Sequence, residues 1–408
     1  MINKKLKVGN VPNLRFPSFE GEWETKKLGD LCKIYDGTHQ TPNYVESGIP
    51  FYSVEHITSN NFDKTKYISE EVYEKEIKRV KIEGGDILMT RIGDIGTSKY
   101  IDWNVKASFY VSLALIKQSS HINSKYLNQF ISTDFFQKEL WHRTIHVAFP
   151  KKINLGEIDN CIVNYPSNSE QKKISDFLSL LDERILTQSK IIKELNVLKT
   201  TITKRIFSGQ LRFKNASGDN YEDWKTKKLG DVTTLINKRN KNNEKLPVYS
   251  INNKLGFVPQ SEQFEGVDSE DRGYDITLYK IIDKNTFAYN PARINVGSIG
   301  YSGNLENIII SSLYVCFKTE EFVNDNFLFQ YLKTDFFNKE VLRNVEGGVR
   351  DYLFYENFAR IKFDLPCVEE QRKIADYLSS IDLKVDIEIQ ILNKLEEQKK
   401  FLLQQMFV

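Results

Sequence analysis

Two segments of the chain have the apolar spacing of a long helix with one hydrophobic face. In both, apolar residues recur in alternating steps of four and three, the repeat of a coiled-coil seam. The first seam has polar residues at Gln188 and Lys199 and apolar residues at Ile174, Leu178, Leu181, Ile185, Ile192, Leu195, Ile202 and Ile206. The second has polar residues at the same two steps, Glu388 and Lys399, and apolar residues at Ile374, Leu378, Ile381, Val385, Leu392, Leu395, Leu402 and Met406. We predict two helices of about 40 residues, each roughly 60 Å long at ~1.5 Å per residue.

The direction of these helices follows from their place in the chain. An exposed apolar seam of this length favours aggregation, so we expect the two helices to pack on each other. The first helix ends where the second globular part begins, and the ends of a compact domain usually lie close together. The second helix should therefore run back along the first, which predicts an antiparallel pair. This packing would bring Gln188 near Glu388, either as a polar layer that fixes the register or at a solvent-exposed edge of the seam.

A capping signal marks the start of the first helix. Ser167 follows Pro166 and precedes Glu170 by three residues, which is the spacing of a capping box. At the start of the second helix Cys367 takes the place of Ser167. The cap is therefore predicted for the first helix alone.

The chain is an internal repeat of one unit, since three segments of its first half return in the same order in its second half. Residues 23–30, 133–139 and 170–179 return at 224–231, 334–340 and 370–379, at offsets of 200 or 201 residues. In the first of these, seven of the eight residues are unchanged. The segment after the first helix, residues 210–213, has its counterpart at residues 13–16. The chain thus has the order of an opened circle with pseudo-twofold halves, and we expect its ends to meet near the first globular part.

Between the repeated segments the pattern is one of short strands and turns with one amphipathic helix, so we predict an α+β fold for each globular part. The predicted globular domains are residues 1–165 and 210–365, and the helical regions are residues 166–209 and 366–408. Candidate strands are residues 86–89, 110–116 and 308–317, and candidate helices are residues 126–141 and 327–342. Residues 31–125 and 232–326 match each other poorly. This is expected of two related domains that bind different ligands, and equally of ordinary sequence drift in surface loops.

Composition limits the function classes that this chain can serve. Lys and Arg number 57 and Asp and Glu 55, so the net charge of +2 excludes a protein that coats DNA by bulk charge but allows local basic faces. The four cysteines are far apart and form no C-x-x-C pair, which excludes a zinc ribbon or a thioredoxin-type site. The polar N-terminal residues 1–7 do not have the pattern of a signal peptide, and no apolar run is long enough to span a bilayer. We expect a soluble cytoplasmic protein that binds no membrane.

The sequence offers weak signals of catalysis and of metal binding. All five histidines lie in the first half, so a catalytic histidine of the repeated scaffold would lack its twin. His142 and His146 are four residues apart but have neither an H-E-x-x-H pattern nor a clear third ligand. Residues 93–99 fail the spacing of a phosphate-binding loop, and residues 290–293 lack the second proline and the aromatic residue of an adenine methyltransferase motif. We predict a chain with no catalytic residue and no metal site.

Two motifs, each present twice, resemble those of the specificity (S) subunit of type I restriction-modification systems. Residues 23–30 and 224–231 match W-x-x-K-x-L-G-[DE], and residues 166–174 and 366–374 match P-x-x-x-E-Q-x-K-I. The resemblance covers essentially the whole chain. It implies that two target-recognition domains each read one half of a bipartite double-stranded DNA sequence through the major groove.

The resemblance also implies partners. The paired helices would set the length of the unspecific spacer and dock two modification (M) subunits, which carry S-adenosylmethionine and methylate adenine N6. Restriction (R) subunits would add translocation and cleavage that depend on ATP and Mg²⁺. By this resemblance the chain itself holds no cofactor and catalyses no reaction.

The residues that contact DNA are predicted from residue type and loop position, because they fall in or near the divergent stretches. Lys and Arg suit phosphates, whereas Arg, Asn, Gln, Ser and Thr suit base edges. The first domain contributes Thr38, His39, Gln40, Arg91, Lys99, Lys151 and Lys152. The second contributes Lys238, Arg239, Asn240, Lys241, Asn252, Asn253, Arg293 and Arg350. For each of them the alternative is a solvated surface residue.

Two other functions stay open at this point. The chain could be a nuclease or methyltransferase with an unrecognised active site, although the expected motifs are missing. It could also be a coiled-coil adaptor that binds no DNA, although the divergence of the two globular parts does not suit identical partner sites.

Overall fold

The computed structural model describes residues 9–263, 273, 275–345 and 352–408. The chain divides into two compact units. Unit 1 is Met1–Lys190 with Gln390–Val408, and unit 2 is Ile191–Ile389. Each long helix contributes one half to each unit.

Unit 1 alternates short strands with short helices before its long helix. Its strands are β1 (Glu24–Lys27), β2 (Ile34–Asp36), β3 (Ile49–Tyr52), β4 (Lys66–Ile68), β5 (Ile87–Ile92), β6 (Asp94–Tyr100), β7 (Ser108–Phe109), β8 (Leu113–Ile116) and β9 (Ile162–Tyr165). Its helices are α1 (Leu28–Leu31), α2 (Val54–Ser59), α3 (Glu70–Glu76), α4 (Ser124–Ile131), α5 (Asp134–Arg143), α6 (Leu155–Asp159) and the first half of α7 (Asn168–Phe207).

Unit 2 repeats this plan with its own elements. Its strands are β10 (Lys225–Lys228), β11 (Thr233–Ile236), β12 (Val248–Asn252), β13 (Gly256–Pro259), β14 (Lys280–Ile282), β15 (Phe287–Tyr289), β16 (Ile299–Tyr301), β17 (Ile308–Ile310), β18 (Val315–Thr319) and β19 (Lys362–Leu365). Its helices are α8 (Gln260–Gln263), α9 (Asp325–Tyr331), α10 (Asp335–Asn344), α11 (Tyr355–Arg360) and the first half of α12 (Val368–Met406), with 3₁₀ turns at Leu229–Asp231, Ile276–Leu278 and Ile294–Val296.

Three small sheets form each unit. In unit 1 the strand orders are β2-β8-β5-β6, β4-β3-β7 and β1-β9. In unit 2 they are β11-β18-β15-β16, β13-β12-β17-β14 and β10-β19. Each four-stranded sheet that begins with β2 or β11 is antiparallel throughout. The α+β fold predicted from the sequence is confirmed.

The long helices run antiparallel within each unit. In unit 1 the core joins Ile174 and Leu178, early in α7, to Leu402 and Met406, late in α12. In unit 2 the core joins Ile206, late in α7, to residues early in α12, among them Ile374 and Leu378. All sixteen apolar seam positions named above are buried or half-buried, which confirms the predicted seam. Gln188 and Glu388 are 8% and 7% exposed, so neither lies at a solvent-exposed edge.

The polar seam positions Lys199 and Lys399 are held by the same network in the two units. Lys399 forms an ion pair with Asp182, whose second oxygen accepts from Gln129 at 2.6 Å. In unit 2, Lys199 pairs with Asp382, which accepts from Gln330 at 2.9 Å. The networks join both long helices to the short helix α4 or α9.

The repeated Glu-Gln pair at the start of each long helix connects that helix to its globular domain. Glu170 is 1% exposed and accepts two hydrogen bonds from Arg15, both of 2.7 Å. Its neighbour Gln171 accepts from the backbone N–H of Asn123, the N-cap of α4, and donates to the carbonyl of Pro166. The two side chains of the predicted capping box have other partners: both oxygens of Glu170 accept from Arg15, and the hydroxyl of Ser167 lies 3.1 Å from that of Ser169.

The predicted meeting of the chain's end segments occurs within unit 1. The backbone N–H of Leu14 donates to the carbonyl of Gln405 at 2.8 Å, and the amide of Asn164 donates to the carbonyl of Val408 at 3.0 Å. The equivalent residue in unit 2 is Leu211, which follows the end of α7 along the chain. Its N–H donates to the carbonyl of Arg205 at 2.9 Å. The same hydrogen bond thus joins the two end segments of the chain in unit 1 and two residues that are close in sequence in unit 2.

Three local predictions are corrected by turns and caps. The segment 308–317 is not one strand, because a turn at Ser311 divides it into β17 and β18, which belong to different sheets. The two candidate helices are each divided in two, because Thr133 and Thr334 cap the following helices and accept from the backbone of Phe136 and Phe337.

Among the described residues, the helices are too short or too polar to cross a membrane.

Candidate nucleic-acid interface

One edge of the first four-stranded sheet gathers several of the predicted DNA-contacting residues. Strands β2 and β5 end at this edge and β8 begins there, because β8 pairs antiparallel with both. We define loop edge 1 as residues 36–40, 91–93, 110–112 and 145–152. Loops at the ends of rigid strands are common positions for ligand contacts.

Backbone hydrogen bonds hold the segments of loop edge 1 together. The N–H of Val111 donates to Thr38 at 3.0 Å, and the N–H of Arg91 donates to Ser112 at 2.9 Å. The N–H of Gly93 donates to Lys151 at 2.8 Å. The structure therefore places Thr38, His39, Gln40, Lys151 and Lys152 along one edge, although they are spread over more than 100 residues of the sequence.

The loop after β2 is fixed by an ion-paired aspartate. Asp36 accepts from Arg79 at 2.7 Å and contacts the His39 ring at 2.8 Å. Burial opposes the ionisation of Asp36, but its hydrogen bonds to Arg79 and His39 and their charges outweigh burial, so its pKa lies below the ordinary value. Arg79 was missed by sequence reasoning because it lies 43 residues beyond Asp36 in the divergent stretch.

Gly37 brings this loop against the neighbouring strand, so Gly37→Ala is expected to disturb loop edge 1. A Cβ atom at this position would lie 2.1 Å from the carbonyl oxygen of Phe109, which leaves no room for any side chain. We expect a loss of about 1–3 kcal/mol in the free energy of unfolding, the usual cost of overpacking, together with weaker binding of DNA. Urea denaturation and a gel shift measure the two effects. Gly93→Ala is the control, because no atom lies within 4 Å of the added Cβ and only the φ of +84° opposes the substitution, so it separates backbone strain from steric exclusion. A Gly37→Ala protein that matches wild type in both assays would contradict the role of Gly37 in shaping loop edge 1.

Two further residues predicted for the first domain are not exposed at loop edge 1. Arg91 is 7% exposed and donates to the carbonyl of Val111 at 2.6 Å. Burial lowers the pKa of Arg91, whose side chain is enclosed by its neighbours, and its contact with DNA stays a prediction. Lys99 lies near the far end of the β5–β6 hairpin, opposite Leu88, with its ammonium group 5.9 Å from the ring of Trp103.

Unit 2 has an equivalent edge with different side chains. Strands β11 and β15 end where β18 begins. We define loop edge 2 as residues 237–241, 252–253, 290–298 and 311–314. Strand β14 connects two of these segments, because the N–H of Ile281 donates to the carbonyl of Lys238 and the ammonium group of Lys280 donates to that of Tyr314. Within the segment 290–298, the N–H of Ser298 donates to the carbonyl of Arg293.

Most of the predicted residues of loop edge 2 are exposed. They are Lys238, Arg239, Lys241, Asn253 and Arg293, with Asn252 half-buried. Lys238 forms an ion pair with Asp283 at 3.1 Å, and this pair partly neutralises the charge of Lys238. Asn240 is fully buried, and its side-chain amide donates to the carbonyl of Glu244 and accepts from the N–H of Glu244, both at 2.9 Å. Its side chain therefore shapes the loop, and its contact with DNA stays a prediction. Arg350 lies outside the described residues.

The described residues contain no cluster of three or more His, Cys, Asp and Glu side chains that could hold a metal ion. His146 contacts the carbonyl oxygen of Trp141 at 2.9 Å and packs on the Trp141 ring. The four cysteines are free thiols, three of them buried, and burial raises the pKa of Cys32 to about 11.

Comparisons with known proteins agree on one family. The model of the type I restriction modification DNA specificity domain matches twice, over residues 20–197 and 221–397. The type I restriction enzyme MjaVIII specificity subunit of Methanocaldococcus jannaschii is 26% identical over 408 residues, covering 95% of this chain and 92% of the relative.

Solved structures have the same fold. The crystal structure of a type I restriction-modification system S subunit from M. genitalium matches with a TM-score of 0.60 and 15% identity, over 98% of this chain and 99% of that one. A second chain, from work on complex assembly and conformational transition of the type I restriction-modification system, matches with a TM-score of 0.53 and 14% identity, over 94% of this chain and 97% of that one.

These matches agree with the two motifs that the sequence carries twice and with the two unlike loop edges on one repeated scaffold. The family model covers both halves of the chain, each with its sheets and its share of the long helices. The chain belongs to the type I restriction-modification DNA specificity family and is a non-catalytic specificity subunit with two target-recognition domains.

Proposed function

We propose that loop edge 1 and loop edge 2 each read one half of a bipartite duplex sequence. The target-recognition domains are then residues 1–165 and 210–365, and the helical regions are residues 166–209 and 366–408. The observation that carries the proposal is that equivalent strand ends present different side chains in the two units. Two unlike readers on one scaffold suit an asymmetric two-part site.

The side chains exposed at the two edges divide by chemistry. Lys151, Lys152, Arg239, Lys241 and Arg293 are exposed cations that suit phosphate contacts. The polar side chains of Thr38, Gln40 and Asn253 suit base edges in the major groove. Loop edge 1 thus offers a hydroxyl and an amide, whereas loop edge 2 offers more positive charge.

The long helices are proposed to set the spacing of the two half-sites and to dock the partner subunits. The seam and the Lys-Asp-Gln networks hold the helices against each globular domain, which favours a fixed geometry over a flexible linker. Half-site spacing follows such a geometry in dimeric DNA-binding proteins. Two modification (M) subunits would supply S-adenosylmethionine and methylate adenine, and restriction (R) subunits would act with ATP and Mg²⁺, in the cytoplasm.

Arg239→Ala is expected to weaken DNA binding and to reduce its salt dependence. A lost phosphate contact lowers the slope of log affinity against log salt by about 0.9. Fluorescence anisotropy over a salt series measures the slope. Lys227→Ala removes an exposed cation on β10, outside loop edge 2, and should leave the slope unchanged. An unchanged slope for Arg239→Ala would remove this residue from the contact set.

Adenine-methylation mapping tests the proposed function as a whole. Genomic DNA is compared between cells with and without this gene, with an active modification partner present in both. A bipartite methylated motif that disappears on deletion is the expected result, and it gives both half-sites. An unchanged methylome with an active partner would overturn the proposal and favour an adaptor that does not read DNA.

A further inference from the structure

The hairpin of residues 145–152 in loop edge 1 has an uncovered apolar tip. Val147 is 96% exposed and Phe149 is 104% exposed, and among the described residues Phe149 is the most exposed large apolar side chain. Single exposed apolar residues are ordinary on protein surfaces. Two of them on one turn, with the whole ring of Phe149 in solvent, need a ligand to explain them.

The base of the hairpin is held firmly while its tip is free. The N–H of Ile145 donates to the carbonyl of Lys152 at 2.8 Å. The ring of His146 lies 4.1 Å from that of Trp141 at the end of α5. Together with the bond from Gly93 to the same hairpin, these contacts fix the position from which Phe149 projects.

The surroundings of the tip are cationic. Lys151 and Lys152 follow the tip directly, and both are exposed. The ammonium group of Lys151 lies 5.0 Å from the centre of the Trp141 ring. An apolar side chain flanked by cations suits a ligand with anionic outer groups and flat apolar surfaces within, which describes the phosphates and stacked bases of duplex DNA.

The small area of the tip argues against a protein partner. A stable protein–protein interface covers about 800 Å² on each side, far more than two side chains on one turn provide. Insertion into a base stack needs a single apolar side chain on a rigid support.

We propose that Phe149 is a wedge that enters the base stack at or beside the first half-site, with Lys151 and Lys152 on the flanking phosphates. The proposal rests on the proposed reading of DNA by loop edge 1. Insertion unstacks one base step and bends the duplex. Because pyrimidine–purine steps unstack most readily, the wedge adds sequence preference without a hydrogen bond to a base.

The test uses the full chain in complex with its modification subunits. A pool of random-sequence duplexes is first enriched on the wild-type complex, and 2-aminopurine is then placed through and beside the enriched half-sites to report unstacking. Phe149→Ser is expected to bind about 10-fold to 100-fold more weakly, the effect of losing one aromatic stack. It should also lose the fluorescence rise and keep the wild-type salt slope, whereas Phe149→Trp should retain both binding and fluorescence.

Phe322→Ser is the matched control. Phe322 is 46% exposed but follows Glu320 and Glu321 beyond the opposite end of β18 from loop edge 2, where phosphates would be repelled. This variant should bind and unstack DNA as wild type does.

The other outcomes separate the two proposals. Wild-type affinity and fluorescence in Phe149→Ser would overturn the wedge and leave sequence reading intact. Loss of the modification subunits from the Phe149→Ser complex, with DNA unstacking unchanged, would overturn the wedge and make the tip a protein contact. If the wild-type complex enriches no sequence, the proposed function fails and the wedge fails with it.

Discussion

Replacing Arg212 by alanine is expected to lower the free energy of unfolding by about 3–5 kcal/mol, the cost of leaving a buried carboxylate without its partner. Glu370 is fully buried and accepts two hydrogen bonds of 2.8 Å from Arg212 and one of 2.9 Å from the indole of Trp224. In the variant only the weaker partners remain, and the negative charge stays in a site that water does not reach. Urea denaturation followed by circular dichroism measures the loss.

An exposed ion pair in the same unit provides the control for Arg212→Ala. Lys225 pairs with Glu222 at 3.3 Å, and both side chains are more than 70% exposed. Lys225→Ala should change the free energy of unfolding by about 0–1 kcal/mol, as exposed pairs usually do. Equal losses in the two variants would show that the Arg212–Glu370 pair is not the contact that fastens the helix α12 to its domain.

Phe407→Ala is expected to destabilise the chain by about 3–5 kcal/mol, the usual cost of removing a buried phenylalanine ring. Phe407 is 4% exposed, and its ring centre lies 5.4 Å from that of Tyr126, 6.0 Å from that of Phe130 and 6.2 Å from that of Trp23. Removing the ring would leave a cavity in the core of unit 1, near the backbone hydrogen bond from Leu14 to Gln405. Thermal and urea denaturation measure the change.

Phe401, in the last turns of the helix α12 that precedes Phe407, is the control for this prediction. It is 57% exposed, so Phe401→Ala should change the free energy of unfolding by no more than about 0.5 kcal/mol, as surface substitutions do. A wild-type stability for Phe407→Ala would contradict the role of this ring in joining the end of α12 to the first domain.

The helical part of the fold could be predicted from the sequence because its signal is periodic. A seam of alternating four- and three-residue steps has one structural solution, and the chain order of helices and domains settles their direction. The function of the repeated Glu-Gln pair could not be predicted in this way. Arg15 and Asn123, which bind Glu170 and Gln171, lie 155 and 48 residues away and share no local pattern with them.

The loop edges could be predicted from the sequence only in part. Residue type and turn composition located several of the segments that meet at these edges, since Gly37, Asn252 and their neighbours are typical of turns. The same criteria selected Arg91 and Asn240, whose side chains are buried. Residue type states what a side chain can bind, but burial depends on which other segments pack over it.

The sequence by itself determined the repeat, the antiparallel helices, the α+β class and the family, because each of these depends on spacing, order or motif along the chain. Tertiary structure alone decided which loops share an edge, which cations face solvent, and that Phe149 projects from a firmly held hairpin. The physical reason is that strand pairing joins segments far apart in the chain, and only the folded arrangement fixes which polar and apolar atoms remain uncovered by their neighbours.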